Sequence, residues 1–313
     1  MWKLAIFINL VLTSCSLSAK SVNLICDVQL SDGSYEDFES IVADLHHCIP
    51  PYSDNEFKLT LKNFSMPAFP NGSFSHLGQI HSFKLRIEEN SKIQLLFPNL
   101  PGFSLFTNSW FHSVAFYICD LSEMIGWRWT ALFDLNISPP GGLEFTAIRS
   151  KLLYLHSDFG RVANGRVIAV RILKCQLRWL GANVFAPLRF LKTLELRDNL
   201  LESIDRSHFP THAPELKILD LGNNKLTSLP QGFVDGLNMG KIYLDGNNIK
   251  ITVTQAQTIL SARSFPTLIG VLWPCLCEEY SKLKEKSQLY QEIQECYKDD
   301  DFSSIYKYQE TCL

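Results

Sequence analysis

The chain has 313 residues, of which 46% are hydrophobic and 19% charged, with a formal net charge of −3. Such a length buries a sizeable core. The balance excludes a strongly basic nucleic-acid binder and an acidic, disordered tail protein.

Residues 1–20 read as a secretion signal. Lys3 supplies the positive start, Leu4 to Leu12 form an apolar run broken by Asn9, and small or polar residues follow to Ala19. The run is too short for a comfortable bilayer span, and no later run is long enough for one. Leu12-Thr13-Ser14-Cys15 also fits a bacterial lipobox, which would anchor the chain through Cys15. Three sequons, at Asn63, Asn71 and Asn136, suit an exported chain as glycosylation sites.

Residues 21–56 precede any repeat and hold Cys26 and Cys48. From 57 to 166 a weak pattern recurs: Leu59-x-Leu61-x-x-Phe64, Leu85-x-Ile87-x-x-Asn90, Phe116-x-Ile118-x-x-Leu121 and Leu143-x-Phe145-x-x-Ile148. Phe74 and Leu77 fall on a return limb, and the long gap from Pro98 to Trp110 reads as a loop insertion. Between 167 and 264 the pattern is strong. Val167-x-x-Val170-x-Ile172-x-x-Cys175-x-Leu177 leads to Leu191-x-x-Leu194-x-Leu196-x-x-Asn199-x-Leu201. Next come Leu216-x-x-Leu219-x-Leu221-x-x-Asn224-x-Leu226 and Met239-x-x-Ile242-x-Leu244-x-x-Asn247-x-Ile249. The anchor residues 170, 194, 219 and 242 lie 24, 25 and 23 apart. A fixed period of this size marks a stack of repeating units. The short apolar alternation is a strand with both apolar side chains inward. The asparagine amide donates and accepts, which suits backbone groups in a tight buried turn. Residues 265–313 follow the repeats and contain Cys275, Cys277, Cys296 and Cys312, with a charged tract from Glu278 to Tyr297, mostly free of breakers, that is expected to contain a helix.

These four strong copies resemble the extracellular leucine-rich-repeat family. The resemblance implies an α/β fold: a leucine-rich-repeat solenoid, a curved right-handed horseshoe with short parallel strands on its concave face and disulfide-stapled caps. The domains then read as signal peptide 1–20, N-terminal cap 21–56, degenerate repeats 57–166, typical repeats 167–264 and cysteine-rich C-terminal cap 265–313. Spacing alone leaves three pairings open for the last four cysteines; the family implies Cys275–Cys296 and Cys277–Cys312. A Cys26–Cys48 bridge is expected at the other end. Cys119 and Cys175 lie two coils apart, roughly 10 Å, beyond disulfide reach.

No catalytic motif is found. His208 and His212 have helical metal-ligand spacing with Pro210 between them, His46-His47-Cys48 reads as a cap loop, and Asp299-Asp300-Asp301 as a solvated loop. No metal, cofactor or enzymatic activity is therefore expected. The expected role is a secreted recognition or adhesion protein that binds a protein or glycan through outward strand positions: Arg86, Tyr117, Glu144, Arg171, Glu195, Arg197, Asp220 and Tyr243. Lys58, Lys62, Lys84 and Arg86 would make the first coils basic, and Glu195, Asp220 and Asp245 the last acidic. The alternative is a non-catalytic scaffold subunit of a secreted heteromeric enzyme, luciferase-subunit-like.

Overall fold

The computed structural model describes residues 25–31, 56–75, 77, 79–88, 91–95, 103–121, 127, 129–233, 235–237, 241–261, 267–274, 295–298 and 301–304. Their strands are, in chain order, β1 (Ile25–Ser31), β2 (Glu56–Lys62), β3 (Ser65–Ala68), β4 (Gln79–Glu88), β5 (Lys92–Leu95), β6 (Trp110–Cys119), β7 (Asn136–Ile137), β8 (Leu143–Ile148), β9 (Tyr154–Leu155), β10 (Val167–Leu173), β11 (Trp179–Leu180), β12 (Thr193–Glu195), β13 (Ile218–Asp220), β14 (Lys241–Tyr243), β15 (Thr267–Ile269), β16 (Trp273–Pro274), β17 (Glu295–Lys298) and β18 (Asp301–Ser304). Helix α1 spans Val253–Ser261. The chain forms two compact units, 1–152 with 158–170, and 153–157 with 171–313. Strand β10 gives its first four residues to the first and the rest to the second.

In the first unit, β1, β2, β4, β6 and β8 pair in parallel. The anchor positions meet in register: Leu59 opposite Leu85, Leu85 opposite Phe116. The next step departs from the predicted alignment. Phe116 faces Phe145, not Leu143, and Ile118 faces Ala147. Leu143, Phe145 and Ala147 are all fully buried, so apolar alternation offers two phases and the sequence marks neither. The core is aromatic. Phe83 stacks on Phe57 at 5.7 Å and meets Phe74, Phe106 and Phe111 at 5.0, 5.1 and 5.6 Å. The stretch read as an inserted loop is, over residues 103–109, a return limb. Gly72 and Phe74 donate backbone bonds to Ser104 and Leu105, and Phe106 enters the core with 1% of its surface exposed.

In the second unit, β12 to β15 pair in parallel through three-residue strands. Leu194, Leu219, Ile242 and Leu268 stack in register. The last of these belongs to a coil not anticipated from sequence: β15 lies beyond residue 264, inside the expected cap. Phe185, Phe209 and Phe233 form a second column on the return side, with successive centroids 6.4 and 5.6 Å apart. Residues 295–297, at the end of the tract expected to contain a helix, are in strand β17, which pairs with β16 and β18. The remainder of that tract lies outside the described residues.

Buried or half-buried side chains close these turns. Asn199 Oδ1 accepts from the backbone N–H groups of Cys175 and Leu177, at 2.9 and 3.1 Å, while its Nδ2 donates to Ile172 and Leu196 carbonyls at 2.7 and 2.9 Å. Asn224 and Asn247 repeat this for Leu201 and Leu226. Each amide therefore ties its own turn to the preceding coil. The residue before it is left-handed in every case: Asp198, Asn223 and Gly246 have φ of 59°, 50° and 72°. A Cβ on Gly246 would meet Asn223 Oδ1 at 1.8 Å, so glycine there answers both strain and space.

The first unit uses serine for the same task. Ser91 Oγ accepts from Phe64 N–H at 3.1 Å and donates to the Glu88 carbonyl at 2.8 Å. Ser150 Oγ accepts from Leu121 N–H at 3.2 Å and donates to Ile148 at 3.0 Å. The sequence pattern had put Asn90 at this position; Asn90 lies outside the described residues, and the bonds described are those of Ser91. Cys175 stands where the asparagines stand, and its Sγ donates to the Leu173 carbonyl at 3.2 Å.

Candidate functional site

The outward positions of the parallel strands form two patches, one in each unit. In the first, residues between the buried anchors carry Lys84 and Arg86 on β4 and Ala115 and Tyr117 on β6. The Arg86 guanidinium lies over the Tyr117 ring, 4.4 Å from its centroid, a cation–π contact. Arg86 also pairs with Glu88, as does Lys62 at 3.6 Å; Lys84 pairs with Glu56 at 2.8 Å. The predicted basic patch is thus interleaved with carboxylates. Thr60, in the same row by register, is buried.

The two-residue register change moves Glu144 out of the predicted row. Thr146 stands opposite Tyr117, and Glu144, exposed, stands opposite Ala115. The row closes on a cluster that sequence spacing had missed. Arg149 donates from Nε and Nη2 to the Asp120 carboxylate at 2.7 and 2.9 Å, and from Nη2 to Cys119 Sγ at 3.3 Å. Arg149 and Asp120 both occupy left-handed turns, with φ of 48° and 61°; the turns bring neighbouring coil ends together. Cys119 donates to Asp120 Oδ2 at 3.1 Å.

Burial pushes the Cys119 thiol up from its ordinary value, and the hydrogen bond to Asp120 adds to that. A raised thiol is a poor nucleophile at neutral pH. Tyr117 is raised as well, first by partial burial and then by Cys119. Asp120 is held below the usual carboxylate range by its hydrogen bond from Arg149. No disulfide joins Cys119 and Cys175, as the coil spacing had led one to expect; both are buried thiols, although strand alternation had placed Cys119 on the outward face.

In the second patch, Arg171 Nε donates to Glu195 at 3.3 Å. Arg197 reaches across two coils. Its Nη1 donates to Asp220 Oδ1 at 3.0 Å and to Asp245 Oδ1 at 3.1 Å, and its Nη2 to Asp245 Oδ2. Gly222 makes this reach possible, since a Cβ there would meet Arg197 Nη1 at 2.0 Å. The pairing depresses the Asp245 carboxyl and raises the Arg197 guanidinium, hydrogen bonding being the largest cause of each. The predicted acidic end is thereby threaded by a cation. Tyr243 is half-buried beside Asp220, its register partner.

The remaining candidates fall elsewhere. His208 sits in a capping box with Asp205, whose backbone N–H donates to His208 Nδ1 at 3.0 Å. Among the described residues no group of three or more His, Cys, Asp or Glu is placed to hold a metal, and no helix is long and apolar enough to cross a membrane. Asn63 and Asn71 are exposed, and Asn136 is half-buried on β7. The side chains of Cys26, Cys48, Cys275, Cys277, Cys296 and Cys312 lie outside the described residues, as do residues 1–20, His46, His47 and Asp299. On the return side of the second unit, a cavity of about 1050 Å³ opens between Leu229, Phe233, Ile251 and Ile259. Arg206 at its rim spends its donors on the carbonyls of Phe209, Pro210 and Asp235.

Residues 189–249 match the family model described as Leucine rich repeat. This stretch covers the coils tied together by Asn199, Asn224 and Asn247. No curated protein matches the chain in sequence.

Proposed function

We propose that the chain is a secreted recognition protein that binds a protein partner through the outward strand positions, on the concave side of a leucine-rich-repeat solenoid. Leucine-rich repeats generally mediate protein binding. The observation that carries the reading is preorganisation: the large outward side chains are held before any partner arrives. Arg86 is fixed over Tyr117, and Arg197 between Asp220 and Asp245. Side chains already ordered lose less entropy on association, and aromatic and arginine side chains dominate binding hot spots. The reading carries with it removal of residues 1–20, glycans on Asn63, Asn71 and Asn136, and caps stapled by Cys26–Cys48, Cys275–Cys296 and Cys277–Cys312.

Site-specific photocrosslinking tests the face. A photoreactive phenylalanine replaces Tyr117 or Tyr243, and, as a control, Asn183, which is exposed on a return limb. In the fluid from which the native chain is recovered, the first two positions are expected to capture one and the same protein and the third none. Equal capture at all three, or capture at Asn183 alone, removes the strand face as the binding site. Intact-mass measurement of the native chain tests secretion: a retained Met1 contradicts it.

A further inference from the structure

In the first unit a large aromatic side chain stands in solvent directly beside a sequon. Trp110, at the start of β6, keeps 51% of its surface exposed. Its register partner on β7 is Asn136. The next residues of the two strands, Phe111 and Ile137, also pair and are buried, with 1% and 6% exposed. Side chains alternate along a strand, so Trp110 and Asn136 leave the ladder on the same, solvent side, about 4.8 Å apart at the backbone. The short strand β7 is fixed in that register. The Ser138 N–H donates to the Phe111 carbonyl at 2.8 Å, and the Gly141 N–H to the Ser138 carbonyl at 2.9 Å. Gly141 rests against the backbone of β6, where a Cβ would meet the His112 carbonyl oxygen at 1.5 Å. Asn199, Asn224 and Asn247 use their amides on backbone carbonyls; among the described residues the Asn136 amide makes no hydrogen bond.

We propose that an N-linked glycan on Asn136 lies with its first sugar against the Trp110 indole and covers it. The contact presupposes the secreted, glycosylated reading above and names what one glycan touches. Attachment replaces one Nδ2–H bond of Asn136 with a bond to the anomeric carbon of a sugar; a lipid-linked oligosaccharide pyrophosphate supplies the sugar, and its pyrophosphate leaves with the proton. The linked sugar therefore starts one strand spacing from the indole. One face of a pyranose presents C–H bonds with partly positive hydrogens, and the face of an indole is negative. The two stack with carbon atoms about 3.5–4.0 Å apart, which withdraws apolar surface from water. Around the other two sequons the described aromatic side chains, Phe64, Phe69 and Phe74, are buried and offer no such surface. Tyr117 lies about 20 Å further along β6, at about 3.3 Å per residue. The glycan thus marks one end of the strand face and leaves the Arg86–Tyr117 pair open.

Hydroxyl-radical footprinting of the native chain, read by peptide mass spectrometry, tests this. Pro139 follows the sequon, so occupancy of Asn136 is read first and is expected. Trp110 should oxidise more slowly than Trp179, which is 58% exposed and pairs with Tyr154. Enzymatic release of whole glycans should speed Trp110 several-fold and leave Trp179 unchanged, whereas trimming to the first sugar should keep most of the protection. Ser138→Ala abolishes the sequon, keeps Asn136, and should match the released chain; the release itself needs no variant and reads the contact even if this one folds poorly. An occupied Asn136 with Trp110 equally reactive before and after release overturns the contact and leaves the secreted reading standing. An empty Asn136 beside an occupied Asn63 or Asn71 overturns it as well. Glycans at none of the three overturn it together with the glycosylated reading.

Discussion

The two units solve one problem with different materials. The first pairs strands of up to ten residues, β4 and β6, over phenylalanine rings and closes its turns with serine hydroxyls. The second pairs three-residue strands over leucines and closes its turns with asparagine amides. A long parallel ladder satisfies backbone groups by itself, so a single hydroxyl suffices at the turn. A three-residue strand leaves more of each coil to be tied by side chains, and a carboxamide, with two donors and an acceptor, reaches two coils at once. The difference teaches that the repeat is defined by its hydrogen-bond accounting as much as by its leucines.

The sharpest way to break this comparison is through the cores. Phe83→Ala removes a ring packed against Phe57, Phe74, Phe106 and Phe111, and is expected to cost about 3–5 kcal/mol in urea unfolding. Leu219→Ala, equally buried in the second unit, should cost less, about 2–4 kcal/mol, because short coils can close on the smaller void. A larger loss at Leu219 would show that the leucine stack, not the aromatic cluster, is the less forgiving core.

The turns give the next effect. Asn224→Ala strands the Leu201 N–H and takes one of two donors from each of the Leu196, Leu221 and Gly222 carbonyls, and about 3 kcal/mol is expected, since a stranded buried group costs about 1–3 and each further lost bond about 1. Ser150→Ala strands the Leu121 N–H and takes one of two donors from the Ile148 carbonyl, so about 1–2 kcal/mol is expected. Equal losses in denaturant titrations would mean that serine and asparagine carry the same burden, and the contrast between long and short ladders would fail.

The same contrast explains what could be read from sequence. Where asparagine recurs, at 199, 224 and 247, the phase of each coil is written in a residue type that has no other reason to be buried there. Register from Leu194 to Ile242 followed directly. In the first unit Ser91 and Ser150 do this work, but serine is common on any surface and does not mark the phase of a coil. The result was the two-residue slip at β8 and the misplaced Glu144. Strand β15 escaped notice because Leu268 is followed by no turn amide. Charge was misread for a related reason. Lys84 and Glu56, or Arg197 and Asp245, are far apart in sequence, and only the stacking of coils makes them neighbours. The resulting surface is an alternation of paired charges, where the sequence suggested a gradient.

The smallest expected effect concerns that pairing. Asp245 is depressed by its bonds from Arg197, so its contribution to stability is present above the unfolded value of about 3.9. It is lost as pH falls through the lower folded value, where the carboxyl takes up its proton in the native chain too. Because Asp245 keeps 38% and Arg197 29% of their side-chain surface exposed, solvent screening holds the whole effect under about 1 kcal/mol. Arg197→Met should therefore be less stable than wild type near pH 6, and the gap should shrink below about pH 3.9 as Asp245 takes up its proton. Gly222→Ala should give a weaker version of the same curve, since the new methyl group displaces only the far end of a flexible side chain. A gap that persists undiminished in acid would mean that Arg197 acts through packing of its methylene stem, and that the fixed charges of the second patch are a consequence of the coil stack rather than a contributor to it.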